Sequence, residues 1–549
     1  RAFDSNGAPL DGGKLFTYQA GTSTPLATYT DQGGLTANTN PVVLDSSGQA
    51  NVWLGSSSYK MVLQDKDGNP QWSVDNIQDS GATVLADLAS TSAGKGAALV
   101  GMKRSATNSI ATTVYNWING QVFNLKTDFG ALADGSDETS LIQGALNQCA
   151  GKTLYIPSGT YTINGRLTLL AGTRLVGDGY NSTIIYQSEA NQGSIVTNND
   201  NEICYLRFTG TGAYDTDHQG NGTIFNDPTG AGLIGKRIHI HDCYFDTTIS
   251  VSAMAGNSWV DAIIEDNHIE MEKGEHGIYL SGGSIRCWVK NNYIRKTNST
   301  ATSCSAINMK GISSSWIEDN FISGTGWTGY GIVTSTANSN DVQIRNNRFY
   351  GIDSTVCVPI RVGSAADDTY MVVAGNDIEG GYYGVQCSAA HTLVESNIIR
   401  NTTYNAIYAD ATGRDASYTT IQDNKIYSCG GGIRLVAADD YTYVLNNTVT
   451  SGTGVGIEWY SGSSIGFVGG NRVENNSTNY SLLVAVPSDC GTSFTPAFTG
   501  LTETPGSGSI EMTGTYWIHG NIVEFVINIL HLGNATTQSI AGTTWFAPA

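Results

Sequence analysis

The pattern [IV]-x-x-N-x-[IVF] recurs nine times, centred on Asn267, Asn292, Asn320, Asn347, Asn376, Asn397, Asn424, Asn447 and Asn471, at a mean spacing of about 25 residues. Two earlier copies, "IHDCYF" and "ICYLRF", put Cys243 and Leu206 in the Asn position. A second register, "GIYL", "AINM", "GIVT", "GVQC", "AIYA", "GIRL" and "GIEW", interleaves with the first. A fixed period of this length marks a stacked array. Apolar residues alternate over short runs within each period, which is strand spacing with no sustained helical period. The chain therefore reads as an all-β solenoid, a parallel β-helix whose coils stack at about 4.8 Å.

That geometry accounts for the asparagines. Asn tolerates the left-handed conformation of a sharp inter-strand turn, and its amide can bond to the Asn of the next coil. They are expected to be structural. Charges two residues earlier, Glu265, Lys290, Glu318 and Arg345, alternate in sign and predict an outward ion ladder. Glu270 with Arg295 and Glu379 with Arg400 fit the same reading.

A chain of 549 residues exceeds one compact domain, so the array should carry appended domains. The net charge of −20 argues against nucleic acid, which needs clustered cations. No apolar run approaches the ~18 residues of a membrane span, so no membrane insertion is expected. Nine cysteines without a CxxC pair read as small buried thiols made in a reducing cytoplasm, not as metal ligands or disulfides. The opening at Arg1 suggests numbering that starts inside a longer or processed product.

Residues 137–149, "DETSLIQGALNQC", predict an amphipathic helix with Asp137 as N-cap, covering the open apolar end of the solenoid. The long interval between Leu206 and Cys243 holds an excursion read as a flanking loop. Residues 1–80 alternate over short strands with DG and GN turns and predict a small β domain. The expected organisation is 1–80 β domain, 81–125 neck, 126–480 solenoid with its capping helix, and 481–549 a β-sandwich-like domain, expected to be incomplete at "TTWFAPA".

The stretch from "GAALVGMKRSATNS" to "DFGALADGSDETSLIQGAL" resembles the segment leading into the β-helix of tailed-phage tailspikes. Its "DFGALADGSDETSLIQGAL…YIPSGTYTI" part resembles the pectate-lyase-like superfamily, and residues 1–80 resemble the particle-binding head that attaches such spikes to the virion. The resemblance implies a right-handed β-helix, a homotrimer in the phage tail assembled in the host cytoplasm, and attachment to a tail or baseplate protein through residues 1–80. It also implies binding, and usually cleavage, of bacterial capsular polysaccharide or lipopolysaccharide O-antigen. The GHG, NTD and RIK tripeptides of polygalacturonases are absent, so that activity does not transfer.

A saccharide groove needs aromatic faces, polar groups and two carboxylates. On the second register the outward residues of late coils include Tyr408, Arg434 and Glu458. Asp410 and Glu458, two coils apart and roughly 9–10 Å by stacking, are the expected catalytic pair, with Asp353 and Glu379 as rivals. Tyr408, Arg434, Trp459, Tyr460 and Tyr383 are the expected substrate contacts. His276 with Glu275 could support lyase chemistry, and Asp215 and Asp217 read as a solvated acidic loop. No cofactor or metal is expected. Hydrolysis leads, with a lyase or a non-cleaving adhesin as alternatives.

Overall fold

A computed structural model describes the chain up to residue 482, except 78–79, 104–110, 116–121, 190–192, 211–221, 227–234, 247–251, 272–275, 298–303, 336–337, 353–354, 364–367, 411, 413–415, 438–440 and 463–465. Beyond 482 it describes residues 492–494, 510–519 and 522–531. The chain divides into two compact units, Arg1–Gln121 and Val122–Ala549.

The first unit holds a four-stranded antiparallel sheet, in the order Val42–Val43, Lys14–Gln19, Tyr59–Gln64, Pro70–Ile77. Leu10, Leu15, Val42, Leu44 and Leu63 form its small core. A helix, Ser80–Ala89, and a two-stranded pair, Gly101–Met102 with Thr112–Thr113, follow.

The second unit is dominated by parallel sheets of 14, 13 and 14 strands, each strand paired with the one a coil away. One coil runs from the first sheet (Ile263–Glu265) round a tight corner to the second (His268–Met271), then to the third (His276–Ser281) and back. Inward residues stack in columns: Ile264, Val289, Ile317 and Ile344 from the first sheet, Ile269, Ile294 and Ile322 from the second, Ile278, Ile307 and Ile332 from the third. All are buried in one continuous core. The helix spans Thr139–Leu146, shorter than expected, and buries Ile142, Ala145 and Leu146 at the start of this core. Glu138, not Asp137, occupies its N-cap position. Asp137 still accepts the Thr139 N–H at 3.0 Å, so it satisfies a first-turn donor from one residue further out.

In all eight intervals of the Asn column, each Nδ2 donates to the Oδ1 of the next asparagine at 2.9–3.1 Å. The same Oδ1 also accepts the backbone N–H of the preceding asparagine, and Nδ2 reaches a carbonyl one coil back. Buried amides are thus fully used. The left-handed residue, however, is the one before each ladder Asn: Asp266, Asn291, Asp319, Asn346, Gly375, Ser396, Asp423, Asn446 and Gly470. The strain sits on the corner, where Asp, Asn, Ser or Gly supplies positive φ, and the ladder residue is free to bond along the axis.

The corner between the third and first sheets carries a second left-handed column. Asp200, Arg237, Asp261 and Arg286 alternate in charge there, with Arg237–Asp200 and Arg286–Asp261 paired. Further on, Tyr370, His391, Tyr418 and Tyr441 stack ring on ring at 4.6–4.7 Å. The expected ladder of Glu265, Lys290, Glu318 and Arg345 is in register, with Lys290–Glu265 closed at 2.8 Å. Arg345 turns instead to Gln343 on its own strand.

The excursion before Cys243 is not all loop. Gly222–Phe225 within it forms a strand of the third sheet, between Ile195–Val196 and Ser252–Asn257. At the other end the solenoid closes with Arg472–Glu474 and Thr478–Leu482. An antiparallel sheet of Thr492–Phe494, Ile510–His519 and Ile522–His531 follows.

Candidate functional site

Strand alternation decides which side chains the third sheet offers to solvent. In Asn405–Asp410, Gly431–Val436 and Val455–Trp459, Ile407, Ile433 and Ile457 point into the core, so Tyr408, Arg434 and Glu458 point out. Register sets Gln386, Tyr408, Arg434 and Glu458 in one outward column, with Arg361 a coil before Gln386.

The column is aromatic at one end and charged at the other. Tyr383, in the turn entering the sheet, stacks on Tyr408 with centroids 4.5 Å apart and planes 6° from parallel. Tyr382 and Tyr404 stack beside them at 5.2 Å. Burial pushes the Tyr383 phenol up to about 12, with Tyr408 adding to the shift. Burial also raises Tyr408, followed by the nearby Asp410 charge. Both therefore remain phenols and hydrogen-bond donors at neutral pH. Tyr408 Oη donates to Asp410 Oδ2 at 3.3 Å, and the Thr412 N–H reaches Asp410 Oδ1 at 2.9 Å.

Arg434 Nε lies 3.0 Å from Glu458 Oε2, an ion pair without hydrogen-bond alignment, and the guanidinium carbon sits 4.9 Å from the Tyr460 ring centroid. Upstream, Arg361 covers the Tyr330 ring at 5.2 Å and bonds its hydroxyl. Among the described residues, Asp410 has no cationic partner.

Tyr408, Arg434, Glu458, Tyr383, Asp410 and Tyr460 thus fall on one face. Trp459 does not. It is fully buried in the core, because it follows outward Glu458 and parity turns it inward. The expected 9–10 Å between Asp410 and Glu458 is also corrected: register opposes Glu458 to Tyr408's column, so Asp410 stands two residues along its strand as well as two coils away. Stacking geometry then gives a Cα separation of about 12 Å. Glu379 lies on the second sheet, 3.6 Å from Arg400, away from this face. Asp353, Glu275, Asp215 and Asp217 lie outside the described residues. His276, five coils before Tyr408, stacks on Tyr279 at 5.1 Å, and its Nε2 contacts Asn308 Nδ2 at 3.3 Å.

Two other groupings lie outside the expected site, and of the first only the Glu270–Arg295 pair was expected. On the second sheet, Glu270 is held by His268 at 2.7 Å and Arg295 at 2.9 Å, opposite Asp246 on the adjacent coil, with His268 between Tyr244 and Tyr293. The recurring positions of Asp246 and Glu270, one after each coil's inward aromatic or Ile, were a readable signal. The exposed Tyr370–Tyr441 stack was missed because its residue types vary. Its ring faces cover one another, leaving edges for solvent, so it makes a poor platform for a sugar ring.

Residues 330–495 match the family model described as right handed beta helix region. The solenoid is a right-handed β-helix. Residues 122–358 of this β-helix match the model described as rhamnogalacturonase A/epimerase, pectate lyase-like. Among solved structures, the β-helix is similar to an alpha-1,3-glucanase from Streptomyces thermodiastaticus, 14% identical with a TM-score of 0.50, covering 85% of this chain and 88% of that one. It is similar also to tailspike protein 3 of bacteriophage CBA120, 12% identical with a TM-score of 0.50, covering 87% and 76%. A mannuronan C5-epimerase of Azotobacter vinelandii is 40% identical over 74 residues, which are 12% of this chain. The matched segment spans about 4% of that protein's length.

Proposed function

We propose that the protein is a phage tailspike that binds a bacterial surface polysaccharide, capsule or O-antigen, along the outward face of the third sheet and cleaves it by hydrolysis. The observation that carries the reading is the sequence of groups on one column: stacked tyrosines, then Arg434, then Glu458, with Asp410 alongside. Stacked coils present such groups at a repeat matching an extended chain of sugars. Tyr404 and Tyr460 are exposed and offer ring surface for pyranose C–H faces. Glu458, placed beside the Arg434 guanidinium, suits the base that orients the attacking water. Asp410, positioned on the same face by the Tyr408 hydroxyl and the Thr412 N–H, takes the part of the acid that protonates the leaving oxygen. The about 12 Å between Cα positions leaves the two carboxyls room to flank a sugar and a water, as inversion requires. Residues 1–80 serve as the attachment to a tail or baseplate protein, and the assembly is a homotrimer.

The test is mass spectrometry of a panel of purified capsules and O-antigens after incubation with the protein. Oligosaccharides at whole-repeat masses plus one water are expected, and they should vanish with Asp410→Asn or Glu458→Gln. Products one water lighter would replace hydrolysis by elimination. A polymer that is bound but never shortened would leave an adhesin.

A further inference from the structure

Seven of the eight described cysteines sit in the core of the β-helix, as small apolar side chains do. Cys204 is the exception. Ile203 takes the inward position of its strand, so Cys204 faces outward, yet it is 1% exposed because polar neighbours cover it. Those neighbours are metal ligands by type. Register places Glu202 opposite His239 and Cys204 opposite His241 on the adjacent coil of the first sheet. A carboxylate oxygen of Glu202, Cys204 Sγ and a ring nitrogen of His241 all lie within 4.8 Å of one another. His241 Nε2 is 3.4 Å from Glu202 Oε1, and Cys204 Sγ is 4.0 Å from the same oxygen.

We propose that Glu202, Cys204 and His241 form a site for a divalent transition-metal ion of the Zn²⁺ class, on the first sheet and separate from the saccharide face. Around a tetrahedral ion, with metal–sulfur near 2.3 Å and metal–nitrogen or –oxygen near 2.0–2.1 Å, neighbouring donors stand roughly 3.3–3.7 Å apart. The His241–Glu202 pair already stands at that spacing, and Cys204 Sγ lies within a few tenths of an ångström of it from Glu202. A second observation points the same way. His241 Nδ1 is 2.8 Å from Asp242 Oδ2, and Asp242 adopts a left-handed corner conformation, φ 50°, that returns its carboxylate beside the preceding ring. A carboxylate on Nδ1 fixes the tautomer with its lone pair on Nε2, the outer-shell arrangement of histidines that bind metals. Tyr205 closes the site edge-on, 5.7 Å from the His241 ring.

Arg174 already grips Glu202, Nε to Oε2 at 2.6 Å and Nη2 to Oε1 at 2.8 Å. A carboxylate oxygen accepts more than one partner, so Oε1 can turn to the ion while Oε2 stays on Arg174. Binding displaces the Cys204 Sγ–H proton to solvent and forms the metal–thiolate bond, with the sulfur's oxidation state unchanged. The fourth position is left to solvent.

The experiment titrates tag-free, full-length protein with Co²⁺ and follows thiolate-to-cobalt charge-transfer absorption, then displaces Co²⁺ with Zn²⁺. One ion per chain is expected, with the near-ultraviolet thiolate band lost in Cys204→Ser and in His241→Gln. Asp242→Asn should retain the band but weaken affinity by about 10–100-fold. Circular dichroism of each metal-free variant separates lost binding from lost folding, and the Asp242 variant decides the matter should either ligand variant unfold. Cobalt bound without a thiolate band, no binding at all, or an undiminished affinity in Asp242→Asn would overturn the assignment.

Discussion

Asn320 Nδ2 donates to Asn347 Oδ1 at 2.9 Å, and the backbone N–H of Asn320 reaches the same oxygen at 3.1 Å. One amide thus closes two bonds of the preceding coil while its own nitrogen serves the next. Asn347→Ala removes the acceptor for both and strands the Ile317 carbonyl, all in the buried core. Orphaning buried polar groups of this kind costs about 2–4 kcal/mol, to be read as a lower denaturant midpoint. Asn471→Ala, at the half-buried end of the column, should cost less.

Tyr383 and Trp459 separate recognition from stability. Tyr383→Ala removes one face of the stack with Tyr408 and is expected to weaken polysaccharide binding about tenfold, roughly 1.4 kcal/mol, with a small change in melting temperature. Trp459→Ala opens a core cavity and should cost about 3–5 kcal/mol of stability. Calorimetry and binding on the same pair of variants check both.

Arg434 sits between Glu458 and Tyr460 and fixes where the carboxylate points. Arg434→Met keeps much of the packing but frees Glu458, so turnover should fall about 100-fold, the usual effect of an ångström-scale displacement. Rescue of turnover by Arg434→Lys to within a few fold would show that charge alone, and not the planar guanidinium, sets the position.

Acid should loosen the capped end of the solenoid. The Tyr155 hydroxyl, then Ser158, holds the Asp178 carboxyl below its ordinary value, and the Thr139 hydroxyl does the same for Asp137. Groups depressed in the folded state add stability above the unfolded carboxylate value near 3.9, and lose it as pH falls through the folded value. Melting temperature should therefore drop as pH falls below about 4, and Asp178→Asn should flatten that drop.

The solenoid was legible because its core obeys a regular period, with inward Ile, Val or Phe flanking each Asn. Asn stacking was legible for the same reason. The left-handed corner was assigned one residue late, since Asp, Asn, Ser and Gly share it and no single letter recurs. Parity already told that Glu458 and Trp459 cannot both face the sugar, a conclusion available from Ile457 alone. The offset of Asp410 needed the strand register, which spacing alone does not supply. His241 lies 37 residues beyond Cys204 and 39 beyond Glu202, across the long interval before Cys243, so no motif spacing marked them.

The asparagine column is the same at every level and cannot tell one coil from the next. A strand that paired one coil too far during folding would still complete its amide ladder. The opposite corner would object. Skipping a level there sets Asp200 against Asp261 and Arg237 against Arg286, like against like. That column works as a set of addresses, letting a repetitive chain count its own turns as it winds.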